Sequence, residues 1–465
     1  MKLFGTAGIR MKYPADLTPE TALRIGNAVG RLKLSSKAYI VHDTRTTSPL
    51  ISLLIGAGLM SSGIGVFLGG IAPTPVAAYE ARKEKAIGVS VTASHNPPDY
   101  NGVKLYDVEG YEFTRDLESR IEEMVDYPCY NDWNNVGALL EVRNVLRDYY
   151  DDLFNFIGEV KAKWKPIIVI DCANGSAYNV SPSIIRDLGA IPFTFNCNPD
   201  GFFPARTPEP RRDVLEKMLP TYSSINPAVI FAHDGDADRV AVLDPVKGFI
   251  RQDRLLAFYA KKILESRKGH VVVSIDTGFV VDEVVYEHGG SLERYMLGKT
   301  HERVKELGLK HVVMAGEPWK LIHTSWGPWV DGVLQVALLT KAILEWGKPI
   351  SKLLDDEKIP DYPWDRRSYF LEPFSIRDIV FKELVEEVEH LLGEPLRVIE
   401  IDGYRFEYKD YSWILIRKSG TEPKIRIYVE AREKSRLREI TEKTEDTLIK
   451  ITKKHGGKVV EVTIG

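Results

Sequence analysis

Cysteine is scarce in this chain. Three residues in 465, Cys129, Cys172 and Cys197, stand far apart with no C-x-x-C spacing. Such spacing argues against a disulfide framework or a thiolate zinc site and fits a reducing compartment. An excess of one charge is also missing: the formal net charge is −4, with no block of five like charges. A basic tail or stripe for nucleic acid is thereby excluded. The opening MKLFGTAGIR has no apolar core of the kind a secretory signal needs. The expectation is a cytoplasmic protein, a monomer or homodimer, whose partners are neither nucleic acid nor membrane. One stretch, residues 46 to 79, lacks charge entirely and is long enough to span a bilayer. Its glycines, serine pair and P-T-P divide it instead into a helix from Pro49 to Ser61 and a strand from Gly65 to Leu68. Buried elements of an α/β core have this pattern.

What is present is ordinary core material: 44% hydrophobic residues, in a length that calls for two to four domains. A strand–helix unit recurs three times. AYIVHD ends in Asp43, PIIVID in Asp171 and HVVVSID in Asp276; each is followed by a helix and a glycine stop. Apolar strand, acidic end, helix and glycine are the marks of βα units in largely parallel sheets. From about residue 358 strands outnumber helices, which predicts a smaller α+β domain behind a Pro- and charge-rich linker at 355–367. Strands are expected at 396–401, 411–416 and 425–430, helices near 375–392 and 434–454, and a final strand at KVVEVTI.

Four stretches carry chemistry. In VSVTASHNPPDYNGVKLY a strand stops at Ser94 and His95, two prolines stiffen the loop, and Lys104 returns ten residues on. A hydroxyl on a stiff loop near a cation suits phosphoryl transfer. AVIFAHDGDADRVAVLD sets Asp234, Asp236 and Asp238 just past a strand, where three carboxylates repel unless a hard cation, Mg²⁺ first, neutralises them. An EF-hand is excluded because its glycine and glutamate positions are Arg239 and Pro245. ILIRKSGTEPKIRIYVEA offers Arg417, Lys418, Ser419, Gly420 and Thr421 as a phosphate cradle, with Arg426 adding charge. VVMAGEPWKLI presents Glu317 as an acceptor for neighbouring sugar hydroxyls. Arg10, in LFGTAGIR, is a cation in reach of an anion.

Taken in order, FGTAGIR, TASHNP, DGDADR, Gly316-Glu317 and RKSGTEP resemble the motifs of the α-D-phosphohexomutase superfamily, which includes phosphomannomutase/phosphoglucomutase and phosphoglucosamine mutase. The resemblance implies three similar α/β domains around a central cleft plus a C-terminal α+β domain. Domain I (1–148) carries the phosphoserine loop and domain II (149–249) the metal loop; domain III (250–357) carries the sugar loop and domain IV (358–465) the phosphate loop. It implies a phosphoserine at Ser94 that shares Mg²⁺ with Asp234, Asp236 and Asp238. Arg10, Lys104 and Arg239 would surround the reacting phosphoryl, and His95 or Lys104 would be the base. Arg417, Ser419, Gly420 and Thr421 would hold the other phosphate. The activity implied is interconversion of mannose or glucose 1- and 6-phosphates, with a glucose or mannose 1,6-bisphosphate as activator. Phosphoglucosamine mutase is the alternative, and a catalytically weak sugar-phosphate-binding protein is the reading from another class. One departure stands out. The family's GE-x-S-G-H is here Gly316-Glu317-Pro318-Trp319-Lys320-Leu321. Trp319 is then a candidate to stack on the sugar or narrow its pocket, and Arg303 a candidate for a second phosphate contact.

Overall fold

The computed structural model describes residues 2–5, 8–140, 145–419 and 423–464. Multiple α/β domains with mixed sheets are followed by a distinct C-terminal domain, as anticipated. The chain forms two compact units. One comprises Met1–Gln252, Gly269–Val271 and Gly298–Glu357; the other comprises Asp253–Lys268, Val272–Leu297 and Lys358–Gly465.

In the first unit a six-stranded sheet runs Ile9–Lys12, Tyr100–Tyr106, Ile87–Val91, Lys37–His42, Gly65–Ile71, Leu139–Leu140. The inner strands Ile87–Val91, Lys37–His42 and Gly65–Ile71 pair in parallel, whereas Tyr100–Tyr106 returns antiparallel beside Ile87–Val91. That return brings Lys104 back to the strand end carrying Ser94. The uncharged stretch resolves into a helix, Ser48–Ser61, and the strand Gly65–Ile71. The helix crosses Pro19–Arg31 so closely that a Cβ at Gly26 would lie 2.1 Å from the Ile55 carbonyl oxygen. Among the described residues no helix is long and apolar enough to cross a membrane.

The adjoining helix, Thr74–Glu84, buries Glu80 with one carboxylate oxygen lacking a hydrogen-bond partner among the described residues. Burial pushes its carboxyl up to about 7, with Lys83 opposing and Asp148 adding to the rise. A carboxyl raised on folding stabilises below its ordinary range, and that stability is lost as pH climbs through 7. Glu80→Gln should therefore flatten the fall in Tm between acid and pH 8. The expected gain at pH 8 is about 1–2 kcal/mol, or roughly 1–2 °C for a chain of this length. Parallel melting curves for both proteins would refute this.

A second, five-stranded sheet runs Gly248–Phe249, Val240–Asp244, Val229–His233, Ile167–Asp171, Ile191–Phe195. Its parallel pair Ile167–Asp171 and Ile191–Phe195 corrects the cysteine reading. Cys172 and Cys197 follow these neighbouring strands, their Cα atoms are 4.9 Å apart, and they form a disulfide. Sequence spacing hid a pair that the sheet register creates; Cys129 is free and exposed. A hairpin of Val312–Glu317 and Lys320–His323 is followed by helix Gly332–Trp346, whose cap Asp331 accepts from the Leu334 amide at 2.9 Å.

The strand His270–Ser274, most of which belongs to the second unit, lies beside Ser291–Tyr295, with helix Phe279–Glu287 between them in sequence. The C-terminal sheet is antiparallel, in the order Arg397–Ile399, Tyr404–Glu407, Trp413–Lys418, Lys424–Glu430, Trp364–Glu372, Lys458–Ile464. Helices Arg377–Leu392 and Lys434–Lys454 contribute to its apolar core. Two strands go beyond the sequence reading. Tyr404–Glu407 is one; the other, Trp364–Glu372, begins inside the expected linker. Its charged residues are accommodated by pairing: Arg366 lies over Trp364 and Tyr428, and Arg367 bonds Asp365 and Glu445.

Candidate active site

Ser94 follows the strand Ile87–Val91 in the left-handed region, at φ +51°, and is fully buried. A serine adopts that conformation only where its surroundings impose it. Arg45 imposes it. Buried and paired with Asp43 at 3.0 Å, its guanidinium donates to four carbonyls of the loop: Pro97 (2.5 Å), Tyr100 (2.9 Å), Ser94 (3.1 Å) and Asn96 (2.6 Å). Thr92 Oγ1 accepts from the Ser94 amide at 2.8 Å and donates to Asp43 at 2.7 Å. The loop is thus a cast taken from Arg45, stiffer than its two prolines alone would make it.

The Ser94 hydroxyl donates to Asp234 Oδ2 at 2.9 Å, across 140 residues of sequence. Asp234 opens the turn between Val229–His233 and Val240–Asp244, where His233 pairs with Val240. A Cβ at Gly235 would lie 2.6 Å from the Ser94 carbonyl oxygen, so glycine is what lets the two loops meet. One oxygen from each of Asp234, Asp236 and Asp238 lies within 4.8 Å of the others, and all three residues are buried. Lys104 Nζ stands 2.7 Å from Asp236 and 2.6 Å from Asp238, and Thr74 donates to Asp236 at 2.7 Å. Asp236 Oδ1 and Asp238 Oδ1 are nevertheless buried without a hydrogen-bond partner among the described residues. Hard, unshared oxygens in this number fit a divalent cation such as Mg²⁺.

Electrostatics divide the trio. Burial, then Asp236 and Asp238, push the Asp234 carboxyl well up. Burial would also raise Asp238, but Lys104, Arg239 and Lys320 hold it far below the usual carboxylate range. Lys104 stays charged: burial disfavours its ammonium, yet Asp236 and Asp238 raise it overall. His95 is driven the other way, by burial and then by Arg239 and Arg10, and is neutral. Its Nδ1 lies 3.3 Å from both Ser94 Oγ and Arg10 Nη1. Arginine only donates, so Nδ1 carries the lone pair and the proton sits on Nε2, 4.0 Å from Glu209. Arg239 approaches Asp238 at 3.7 Å and keeps a buried Nε without a hydrogen-bond partner among the described residues. His233, just ahead of the trio, is structural: burial lowers it to about 4, and it bonds Ser181 and the Arg239 carbonyl.

Glu317 is buried; its Oε1 accepts from the Thr300 hydroxyl at 2.7 Å and its Oε2 lies 3.2 Å from Lys320 Nζ. Trp319 is partly buried and packs against the apolar core of the second sheet. Arg303 donates to Glu306 at 2.7 Å, one turn along its own helix. In the second unit Arg417 bonds Asp402 through Nε and Nη2, at 3.1 and 2.6 Å, while its Nη1 is buried without a partner among the described residues. Arg426 stands opposite Arg417 on the neighbouring strand, a like-charge pair that an anion would relieve. The Ser419 carbonyl accepts from Arg377 at 2.5 Å. Gly420 and Thr421 lie outside the described residues. Sequence reasoning missed Arg45, Thr74, Thr300 and Lys320; only Arg45 left a trace, as the D-x-R that follows the first repeated strand.

A buried hydroxyl, an acidic trio, a neutral imidazole and flanking cations are the groups that phosphoryl transfer uses. Three family models match the chain: phosphoglucomutase/phosphomannomutase α/β/α domain I over residues 1–128, α/β/α domain II over 147–247, and the C-terminal domain over 378–447. The chain belongs to the α-D-phosphohexomutase superfamily and is an intramolecular phosphotransferase of the phosphoglucomutase/phosphomannomutase type. It is 38% identical to a phosphopentomutase of Thermococcus kodakarensis, covering 97% of this chain and 99% of that one. It is 36% identical to a probable phosphoglucosamine mutase of Methanopyrus kandleri, covering 96% and 97%. In fold it resembles a phosphoglucomutase/phosphomannomutase family protein from Burkholderia thailandensis, with TM-score 0.83, 23% identity and 98% of each chain covered. A putative phosphomannomutase from Thermus thermophilus gives TM-score 0.80 at 24% identity, covering 96% of this chain and 99% of that one.

Proposed function

We propose that this enzyme moves a phosphoryl group between C1 and the terminal hydroxymethyl carbon of an aldose, through a phosphoserine at Ser94 and a bisphosphate intermediate. The observation that carries the reading is the Ser94–Asp234 contact inside the acidic trio. In the first half-reaction the Oγ–P bond of phospho-Ser94 breaks, its electron pair returns to Oγ, and a sugar oxygen bonds to phosphorus. The sugar hydroxyl proton passes to Nδ1 of the neutral His95; Lys104, held charged by two carboxylates, is a poor acceptor. The bisphosphate turns end for end and its other phosphoryl returns to Ser94. Asp234, Asp236 and Asp238 would hold a divalent cation, which would supply charge neutralisation for the phosphoryl oxygens. Arg10 and Arg239 orient the group, Glu317 accepts from ring hydroxyls, and Arg417, Ser419 and Arg426 hold the phosphate that is not reacting.

The named relatives act on pentose and glucosamine phosphates. They favour those substrates over the mannose and glucose phosphates first expected. A coupled assay with ribose, glucosamine, glucose and mannose 1-phosphates, with and without the matching bisphosphate, tests the reading. Interconversion stimulated by bisphosphate is expected. Stoichiometric release of inorganic phosphate would instead make the protein a phosphatase.

A further inference from the structure

Lys320 stands where the sugar loop meets the metal loop. Glu317 and Lys320 are paired residues closing a two-residue turn, Pro318-Trp319. Trp319 lies in the left-handed region, at φ +64°, where glycine is the usual occupant. The conformation is held from three sides. The ring is packed into the second sheet's core, and the Trp319 carbonyl accepts from the Val240 amide at 3.4 Å and from Gln335 Nε2 at 3.1 Å. Tryptophan thus works here as a clamp that fixes the backbone of the residue after it.

That residue carries an ammonium into the site. The Lys320 side chain is only 14% exposed and lies 3.2 Å from Glu317 Oε2. It also pulls down Asp238, so its charge is felt on the metal loop as well as the sugar loop. With Oε1 taken by Thr300 and Oε2 by Lys320, Glu317 cannot receive a ring without Lys320 taking part. The ammonium donates to Glu317 Oε2 at 3.2 Å, and an ammonium has three N–H donors and no acceptor, so it suits the lone pairs of hydroxyl oxygens. A protonated amine offers no lone pair and brings a second positive charge into a half-buried place.

We propose that Lys320 is a specificity-determining residue that selects sugars with hydroxyls alone, pentose phosphates foremost, over 2-ammonium sugars such as glucosamine phosphate. The proposal rests on the mutase reading and narrows it. Like charges a few ångströms apart in such a site cost about tenfold or more in kcat/KM.

The test compares ribose 1-phosphate and glucosamine 1-phosphate on wild type, Lys320→Met and Lys320→Arg. It is run at pH about 6, where the sugar amine is charged, and about 9, where it is not. The expected wild-type preference for ribose is at least about tenfold at the lower pH and narrows at the higher. Lys320→Met should shrink the low-pH ratio towards the high-pH one, and Lys320→Arg should keep it. A ratio of two substrates on one preparation is insensitive to partial loss of folded protein. Equal ratios in wild type and Lys320→Met at pH about 6 would overturn the assignment while leaving the mutase reading intact. Absence of turnover with both sugars would overturn this proposal, and absence with glucose and mannose 1-phosphates as well would overturn the mutase reading.

Discussion

Replacing Ser94 by alanine should lower turnover by at least about a thousandfold while leaving sugar-phosphate affinity within a few-fold. In the proposed mechanism the change deletes the atom that receives the phosphoryl group. It leaves in place Arg10, Glu317 and Arg417, the residues to which the proposed function assigns sugar-phosphate binding. The structural cost is small, because Thr92 and Arg45 hold the residue's backbone and not its hydroxyl. Asp234 loses a donor, but its carboxyl is already pushed towards the neutral form by burial. Intact-mass measurement gives a second readout. Wild type incubated with the bisphosphate should gain the mass of one phosphoryl group, and the alanine variant should gain none. Wild-type turnover in Ser94→Ala, or phosphorylation of that variant, would remove the phosphoserine from the mechanism.

The sequence made some of this legible because certain constraints are local. Three carboxylates alternating past a strand have few explanations, and the repeated strand–acid–helix–glycine units mark successive βα layers. The helices at 377–392 and 434–454 were legible from their periodicity. What stayed hidden depends on contacts between distant residues. Arg45 reads as one charged residue in a polar loop until its four carbonyl partners arrive from residues 94 to 100. Cys172 and Cys197 become neighbours only when two parallel strands settle in register. The strand Trp364–Glu372 looks like a linker because its arginines are matched by Trp364, Tyr428, Asp365 and Glu445, two of which, Tyr428 and Glu445, lie far along the chain. Trp319 misled in a different way. An aromatic residue in a sugar loop suggests stacking, yet this one faces a hydrophobic core and leaves the sugar side to Lys320.

Lys104→Met should produce the largest stability change, and one that depends on a divalent cation. Lys104 makes ion pairs of 2.7 and 2.6 Å with two buried carboxylates, and its own side chain is 3% exposed. Removing one partner of a buried pair leaves an uncompensated charge, at a cost of about 3–5 kcal/mol. For a chain of this size that is about 3–5 °C in Tm. The carboxylates left unpaired, Asp236 and Asp238, belong to the trio suited to a cation. Added Mg²⁺ should therefore restore much of the loss in the variant, by binding the folded state in place of the ammonium, and shift wild type far less. Thermal melts in EDTA and in excess Mg²⁺ separate the alternatives. An equal deficit in both media would mean that Lys104 braces the fold without sharing the ion's carboxylates. Turnover should fall at least about a hundredfold even with Mg²⁺ present, since the ion restores charge to the trio but not the cation beside the moving phosphoryl group.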